Sequence, residues 1–377
     1  MNEPSTSVAI ACGGTGGHLF PGLAVAEQLV QRDCAVTLLI SAKEVDQQAV
    51  KMAAGMEIVT LPGVGLQRGG ELAFLRGFSQ SYRAAKKHFE THPPQAALAM
   101  GGFTSAPPIL AAKTFGAQTY LHESNTIPGR ANRWLSRVVN RAFVGFPSAT
   151  DRLKNPKVTV TGTPVRPPFQ PSRQGGTGLC RAALGLEPAR PVLLVMGGSQ
   201  GACGINELVL QSLPLLAKLA PELQWFHLTG PSQAERVRQA YAALKLKAVV
   251  HPFFAQMELA LGAASAAISR AGASSLAELA AMRLPAVLVP YPAATDNHQF
   301  ENARAYQQTG AARLLEEKNA SPEALAHLLL ALVESSAVRE RMQGALAHWH
   351  APGAAQDIAD AILEEHRTLN TEHAIPA

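Results

Sequence analysis

Residues 8–18 read VAIACGGTGGH, a short apolar run that passes directly into a glycine-rich turn. A run of this length, followed by a turn and an apolar helix, is typical of a buried strand in a parallel sheet. Residues 192–201 read VLLVMGGSQG and repeat the arrangement in the middle of the chain. The two stretches predict two Rossmann-like halves, each opening with a strand, a glycine loop and a helix.

Further apolar runs alternate with helical stretches after each opening. They lie at residues 36–40, 96–100, 119–121, 142–144 and 158–160 in the first half, and at 225–228, 248–250, 266–269 and 286–289 in the second. This alternation predicts an α/β protein with two doubly wound parallel sheets, each covered by helices.

Proline and glycine crowd residues 163–168 and 175–178, which is typical of a linker. We therefore predict a first domain over residues 1–165 and a second over 166–349. A last helix is expected over residues 354–367, followed by a polar tail.

The composition is that of a globular protein, with 47% apolar residues among 377. The net charge of +5 is modest, and no nucleic-acid-binding module is recognisable, so we expect no nucleic-acid partner. No stretch has the length of a membrane span or the pattern of a signal peptide. The four cysteines are far apart and form no C-x-x-C pair, which indicates a reducing cytosol: Cys12, Cys34, Cys180 and Cys203.

The first glycine loop is a candidate anion site. Its glycines permit close backbone approach, and the helix behind it, expected from about Pro21, offers free N–H groups. A tight turn without a ligand is the alternative. A dinucleotide fingerprint is not matched, because Leu19 stands where the last glycine is needed. His18 ends the loop, either as a general base or as a group that only binds phosphate or caps the turn.

A second candidate anion site follows the run at residues 266–269. Arg270 and the start of a helix, expected near Ser275, suit a diphosphate. Glu278 is placed to accept two ribose hydroxyls. The spacing of Ser275 and Glu278 also fits a capping box, so a structural role is the alternative.

Cationic and apolar side chains adjoin in two segments of the first half. Arg130, Arg133, Arg137 and Arg141 recur every three or four residues, which predicts a basic stripe on one helix with Trp134 beside it. Upstream, Leu72, Phe74, Leu75 and Phe78 precede a further group of cations. This pattern favours a membrane-surface contact. Two ordinary surface helices with apolar faces in the core are the alternative.

Taken in order, these motifs resemble those of the MurG family of N-acetylglucosaminyltransferases, from the first loop to about Leu315. The resemblance rests on GGTGGH (13–18), GGF (101–103), HESN (122–125), GTPVR (162–166), GGSQGA (197–202), RAGASSLAE (270–278) and DNHQ (296–299). It implies a GT-B fold, with two Rossmann-like domains facing a cleft, and a C-terminal segment, 350–377, that returns to the first domain. It implies no metal and no cofactor.

The resemblance implies an inverting transfer of N-acetylglucosamine from UDP-N-acetylglucosamine to the C4 hydroxyl of the muramoyl sugar of lipid I, the undecaprenyl-pyrophosphoryl-MurNAc-pentapeptide of peptidoglycan synthesis. His18 would be the catalytic base. The acceptor would contact Thr15, His18, Gly102, Phe103 and Asn125. The donor would contact Thr15, Gly16, Gly17, Asn125, Arg166, Ser199, Phe254, Met257, Arg270, Ala273, Ser274, Ser275, Glu278, His298 and Gln299.

The resemblance also implies a peripheral protein on the cytoplasmic face of the cell membrane. The anionic inner leaflet would contact Phe74, Leu75, Phe78, Arg133, Trp134 and Arg137, and other cell-wall synthesis and division proteins are further partners to consider. Three other functions stay open: a GT-B enzyme that uses a soluble acceptor or epimerises UDP-N-acetylglucosamine, a non-catalytic UDP-sugar-binding subunit, and, more distantly, a Rossmann dehydrogenase.

Overall fold

The computed structural model describes residues 6–43, 55–63, 70–171, 176–198 and 202–373. The chain divides into two compact units. The first comprises Met1–Arg166 together with Ala351–Ala377, and the second comprises Pro167–His350. Each unit has a parallel sheet at its centre, which confirms the predicted α/β fold of two Rossmann-like halves.

The sheet of the first unit has seven strands in the order β3-β2-β1-β4-β5-β6-β7, and every pairing is parallel. The strands are β1 Thr6–Ala11, β2 Cys34–Ser41, β3 Glu57–Leu61, β4 Ala96–Ala99, β5 Gln118–Glu123, β6 Arg141–Val144 and β7 Val158–Val160. The helices are α1 Gly16–Val30, α2 Glu71–Thr91, α3 Ala106–Thr114 and α4 Arg130–Leu135, with a 3-10 helix at Pro147–Arg152.

The sheet of the second unit has six parallel strands in the order β10-β9-β8-β11-β12-β13. The strands are β8 Val192–Met196, β9 Gln224–Leu228, β10 Ala248–His251, β11 Ala266–Ser269, β12 Ala286–Leu288 and β13 Arg313–Leu314. The helices are α5 Gly176–Ala183, α6 Cys203–Leu219, α7 Ala234–Ala243, α8 Met257–Ala263, α9 Ala273–Met282, α10 His298–Gln308, α11 Pro322–Glu334 and α12 Ser336–Trp349, with 3-10 helices at Thr295–Asn297 and Glu317–Asn319.

The last helix, α13 (Ala354–His373), belongs to the first unit. Its Ile358 and Ile362 are fully buried in the same apolar cluster as Leu19 and Leu23 of α1. Burying an aliphatic side chain of this size contributes about 1.5–3 kcal/mol, so this apolar face is the main attachment of α13. A second cluster includes Phe89 of α2 and Leu135 of α4, so the sheet is covered by apolar packing from several helices.

Both sheets reverse their strand order at the same place. The chain moves outward from β1 to β3, returns to β4 beside β1, and then continues in the other direction, and β8–β13 repeat this path. In doubly wound sheets, ligands bind at the carboxyl ends of the strands on either side of this reversal. The loops that follow β1, β4, β8 and β11 are therefore the expected positions of binding sites.

The helix after the first glycine loop begins at Gly16, whereas the sequence predicted a start near Pro21. Thr15 has an extended backbone and serves as the N-cap, and Pro21 lies inside the helix. The prediction was wrong because it used the preference of proline for the first helical position. As a result, His18 lies in the first turn of α1 and not in the loop.

The predicted basic stripe on one helix is also wrong. Helix α4 ends at Leu135, so Arg137 follows the helix and Arg141 begins β6. Asn155 Nδ2 donates hydrogen bonds to the carbonyls of Ser136 (2.8 Å) and Val139 (2.9 Å), which satisfies groups that a longer helix would have used.

Three smaller differences concern two strands that were not predicted and the ends of two helices. Strands β3 and β13 were not predicted, because β3 contains polar residues and β13 has only two residues. Helix α5 begins at Gly176, inside the predicted linker. Helix α13 continues beyond Arg367 to His373.

Two histidines are buried in the sheets, one in each unit. His227 on β9 lies 3.0 Å from both the Tyr241 hydroxyl and the Asn206 side-chain oxygen. Burial lowers the pKa of His227 to about 3 and the pKa of His122 on β5 to about 4, from an ordinary value of 6.5. Both rings are therefore neutral in the folded protein near pH 7.

We predict that the free energy of unfolding falls as the pH is lowered below about 6.5. The unfolded chain then binds protons at both histidines, whereas the folded chain does not until the pH nears 4 and 3. Each pH unit in this window costs up to about 1.4 kcal/mol per buried ring. Urea denaturation at pH 7.5 and pH 5 measures the loss.

His227→Gln should make the loss between these pH values smaller, because one buried titrating ring is removed. His348→Gln, the same substitution at an exposed position of α12, is the matched control. An equally steep loss in His227→Gln would contradict the assignment.

Candidate active site

His18 lies at the carboxyl edge of the first sheet, beside the reversal between β1 and β4. Its Nδ1 is 3.3 Å from the hydroxyl of Thr15, the N-cap residue of α1. The ring lies against Gly101 and Gly102, whose φ angles are +116° and +77°. A Cβ added to either glycine would come within 3.0 to 3.1 Å of the ring, so the glycines allow the imidazole to approach the backbone.

Glu123, the last residue of β5, organises the loop that follows this strand. It is 2% exposed and accepts four hydrogen bonds. The donors are the backbone and side-chain nitrogens of Asn125 (2.8 and 3.0 Å), the Gly129 amide (2.9 Å) and Asn132 Nδ2 (2.8 Å). A buried carboxylate with four N–H donors fixes the position of Asn125 and the start of α4.

Side chains tie the loops at this edge to one another. Thr104 Oγ1 donates to the Gly13 carbonyl (2.7 Å), and Lys43 Nζ donates to the Gly14 carbonyl (2.8 Å). Asn132 Nδ2 would lie 3.3 Å from a Cβ on Gly101, so the segment after β5, through the start of α4, also approaches the glycines beside His18. The loops after β1, β2, β4 and β5 therefore form one connected surface around His18.

Two further residues predicted for this half have aromatic neighbours. Phe103 packs edge-on against Phe74 of α2, with ring centroids 5.4 Å apart. The Arg166 guanidinium lies 5.2 Å from the Phe20 ring of α1. Arg166 thus packs against α1, the helix that carries His18. Phe103 follows Gly101 and Gly102 in the chain and links them to α2.

Arg270 lies after β11 in the second unit and is 7% exposed. Its Nη1 donates to the carbonyls of Val289 (2.9 Å) and Pro290 (3.1 Å), and its guanidinium lies 5.4 Å from the Tyr291 ring. Its Nη2 is 2.5 Å from Oε1 of Glu317. The positive charge predicted to meet an anion is therefore paired with a carboxylate in this structure.

Helix α9 begins next to Arg270, at Ala273, with Gly272 as its N-cap and no side-chain capping bond. Ser274 lies in the first turn, and Ser275 is the third helical residue, so the predicted start near Ser275 is two residues late. The capping-box alternative is wrong, because the box requires Ser275 to be the N-cap. Glu278, half-buried one turn farther on, stays a predicted ribose ligand.

The loops after β11 and β12 are joined by side chains of α10. Gln299 Oε1 accepts the amides of Ala271 (3.3 Å) and Tyr291 (3.0 Å), and Asn302 Nδ2 donates to the Ala271 carbonyl (3.1 Å). His298 Nδ1 donates to the Thr295 carbonyl (2.8 Å). The structure therefore brings His298 and Gln299 to the same edge of the sheet as Arg270 and the start of α9.

Phe254 follows β10 and packs against Phe226, at 5.1 Å between ring centroids, and against His251, at 5.4 Å. Met257 is the first residue of α8. Ser199 lies outside the described residues. Most of the residues predicted for the donor thus lie at the carboxyl edge of the second sheet.

Sequence reasoning did not assign roles to Glu123, Asn132 or Glu317. Glu123 lies inside the quoted HESN motif, so a signal was present. Glu317 gave no signal, because its partner Arg270 is distant in the chain and the contact arises only from the fold.

Within the described ranges, no group of three or more His, Cys, Asp or Glu side chains is arranged to hold a metal ion. In the same ranges, no helix combines the length and the apolar character that crossing a bilayer requires.

The chain matches both domains of a known glycosyltransferase family. The glycosyltransferase family 28 N-terminal domain matches residues 8–144, and the family 28 C-terminal domain matches residues 192–360. A relative from Anaeromyxobacter sp. (strain K) is 37% identical over 94% of this chain and 92% of its own length. It is named UDP-N-acetylglucosamine–N-acetylmuramyl-(pentapeptide) pyrophosphoryl-undecaprenol N-acetylglucosamine transferase.

Solved structures resemble the whole chain. The crystal structure of Acinetobacter baumannii MurG has a TM-score of 0.71 and 28% identity, and the match covers 95% of this chain and 99% of that one. A putative UDP-N-acetylglucosamine 2-epimerase from Listeria monocytogenes has the same TM-score at 16% identity, with 96% of both chains covered. The latter likeness shows a shared fold only.

We predict that Glu123→Gln lowers the free energy of unfolding by about 2 kcal/mol, because the new amide NH₂ faces N–H donors that then lack an acceptor. Urea denaturation at pH 7.5 measures the change. Glu90→Gln, at an exposed position in α2, is the matched control and should change stability by less than about 0.5 kcal/mol. Equal stability of the two variants would show that the four hydrogen bonds do not hold the loop.

Proposed function

This chain belongs to the MurG family of glycosyltransferase family 28, and we propose on that basis that it transfers N-acetylglucosamine from UDP-N-acetylglucosamine to undecaprenyl-pyrophosphoryl-MurNAc-pentapeptide. The observation that carries this function is the 37% identity to a transferase of that name over 94% of the chain. The product is the disaccharide lipid from which peptidoglycan is built.

We assign the donor to the second unit. Glu278 would bind the ribose, the Phe254 backbone would bind uracil with Met257 beside it, and His298 and Gln299 would meet the sugar. Ser199, Arg270, Ala273, Ser274 and Ser275 would surround the diphosphate. Helix α9 supports this assignment, because its N-cap residue, Gly272, makes no side-chain capping bond and its amino end lies next to Arg270.

Departure of UDP places negative charge on the terminal phosphate. The start of α9 and the Arg270 guanidinium are fixed before the reaction, the latter by the carbonyls of Val289 and Pro290. Preorganised donors of this kind stabilise a leaving anion without reorganising during the reaction. Arg270 therefore serves as a fixed electrostatic partner for the leaving group.

We assign the acceptor to the first unit. The muramoyl C4 hydroxyl would attack the anomeric carbon on the face opposite UDP, which inverts its configuration, and His18 would accept the hydroxyl proton. Thr15 and the Gly101–Gly102 pair support this role, because they fix the ring beside the β1–β4 reversal. The other acceptor contacts would come from Gly102, Phe103 and Asn125. Gly16 and Gly17 at the start of α1, and Arg166 at the end of the unit, would contact the donor, as would Thr15 and Asn125.

We predict that the purified chain converts labelled UDP-N-acetylglucosamine and a short-chain lipid I analogue into a labelled disaccharide lipid, which chromatography resolves. His18→Ala should lower kcat by about 100-fold or more, the usual contribution of a general base, with a smaller effect on the donor KM. His348→Ala, at an exposed site in the second unit, is the control. A kcat for His18→Ala within a few-fold of wild type would remove His18 as the base.

We also propose that the first unit contacts the anionic inner leaflet of the membrane at its cytoplasmic face. Helix α2 exposes Leu72 (84%) and Leu75 (61%) near its start, and α4 exposes Trp134 (44%). Phe74 and Phe78 of the same helix are half-buried, with ring centroids 6.1 Å apart. Arg133 on α4 and Arg137 after it supply positive charge next to Trp134 in the chain, which is the combination of apolar and cationic groups that an interfacial surface requires.

Replacing both cations, in Arg133→Glu with Arg137→Glu, should reduce binding to phosphatidylglycerol vesicles by about tenfold or more at low salt, since each cation near such a surface contributes about 1 kcal/mol. Co-sedimentation measures the bound fraction. Lys218→Glu with Lys247→Glu makes the same charge change at exposed positions of the second unit and should bind as the wild type does. Equal loss in both double variants would indicate a net-charge effect and would contradict the proposed surface.

A further inference from the structure

Glu317 lies on the 3-10 helix Glu317–Asn319 that follows β13, and its carboxylate extends to the start of α6. A Cβ added to Gly204, in the first turn of α6, would lie 2.3 Å from Glu317 Oε1 and 3.0 Å from Oε2. A larger residue at position 204 would force this flexible carboxylate to move. The same oxygen, Oε1, is 2.5 Å from Arg270 Nη2.

The carboxylate therefore lies between a guanidinium and the amino end of a long helix. Both are positive, and both attract anions. Helix α6 also follows the second glycine loop directly, at the strand-order reversal between β8 and β11. A phosphate group bound at this reversal would be attracted by the same guanidinium and the same helix start, to which the carboxylate lies close.

The two members of this ion pair differ in how firmly they are held. The Arg270 side chain is 9% exposed and is anchored by two carbonyls and the Tyr291 ring. The Glu317 side chain is 25% exposed, and its residue lies on a short 3-10 helix. An incoming anion would therefore displace Glu317 and leave Arg270 in place.

We infer that Glu317 is a built-in competitor of the nucleotide diphosphate: its carboxylate occupies the anion position between Arg270 and α6, and UDP or UDP-sugar must displace it. This inference rests on the proposed function. Because the carboxylate returns when the nucleotide leaves, it lowers the affinity for UDP and favours release of this product.

The test is the affinity of Glu317→Gln for UDP and for uridine, measured by calorimetry. The amide keeps the size of the side chain but removes the charge that repels phosphate, so the Kd for UDP should fall about tenfold. The Kd for uridine, which carries no phosphate, should not change. Glu316→Gln is the matched control, since Glu316 is the preceding residue and pairs with Lys318 at 3.0 Å.

The outcomes separate the inference from the function. A higher Kd for UDP in Glu317→Gln would show that Glu317 only orients Arg270, and an unchanged Kd would show no competition; either result overturns the inference and leaves the proposed function standing. Failure of the wild type to bind UDP would overturn both. If Glu317→Gln does not fold, Glu317→Asp withdraws the carboxylate by one methylene, and it should lower the Kd in the same direction by a smaller factor.

Cys203 provides an independent measurement on the intact protein. It is an exposed free thiol at the first residue of α6, next to Gly204. If the diphosphate takes the position of the Glu317 carboxylate, UDP should slow alkylation of Cys203 by iodoacetamide, and uridine should not. Equal alkylation rates with and without saturating UDP would contradict the location of the competition.

Discussion

Parallel pairing of the strands is the constraint on which the sites depend. Because all strands of a sheet point the same way, every loop that leaves a carboxyl end reaches the same edge. This brings His18, Gly101 and Asn132 together in the first unit although they are far apart in the chain, and it brings Arg270 near Gln299 in the second. The reversal of strand order then opens a space at that edge, and in both units the candidate residues lie beside it.

The sequence was sufficient for the parts of the fold that burial dictates. Strands such as β8 and β12 are fully buried and consist only of apolar residues, and this pattern can be recognised in the sequence alone. The edge strands β3 and β13 were not predicted, because an edge strand need not be apolar throughout. The start of α1 was misplaced because the local rule for proline competes with the extended conformation of Thr15, which only the surrounding structure fixes.

The candidate site was predictable from the sequence to the same extent as the fold. Residues that a motif singles out, such as His18 and Arg270, could be predicted as candidates, since glycine loops and helix starts have local signatures, and the structure places both at the carboxyl edges of the sheets. Residues whose contacts arise only from the fold were not predicted. Glu123 accepts four hydrogen bonds from three residues, and Glu317 forms an ion pair with Arg270 although the two residues lie in different loops. Four arginines are spaced as on a helix: Arg130, Arg133, Arg137 and Arg141. The helix nevertheless ends at Leu135, because Asn155 donates hydrogen bonds to the carbonyls of Ser136 and Val139.

Two carboxylates illustrate how the same chemical group acts differently according to its partners. Glu123 is buried among N–H donors from the loop that follows it and from the start of α4, so it orders this segment, and removing its carboxylate leaves those donors unsatisfied. Glu317 instead meets a guanidinium and a helix start that remain favourable for any other anion. A carboxylate in the second situation is exchangeable, because a diphosphate can satisfy the same partners with more charge. The structure thus holds one carboxylate firmly in the first unit. We infer that the one in the second unit, to which we assign the donor, is displaced by the anion that must arrive and leave in each turnover.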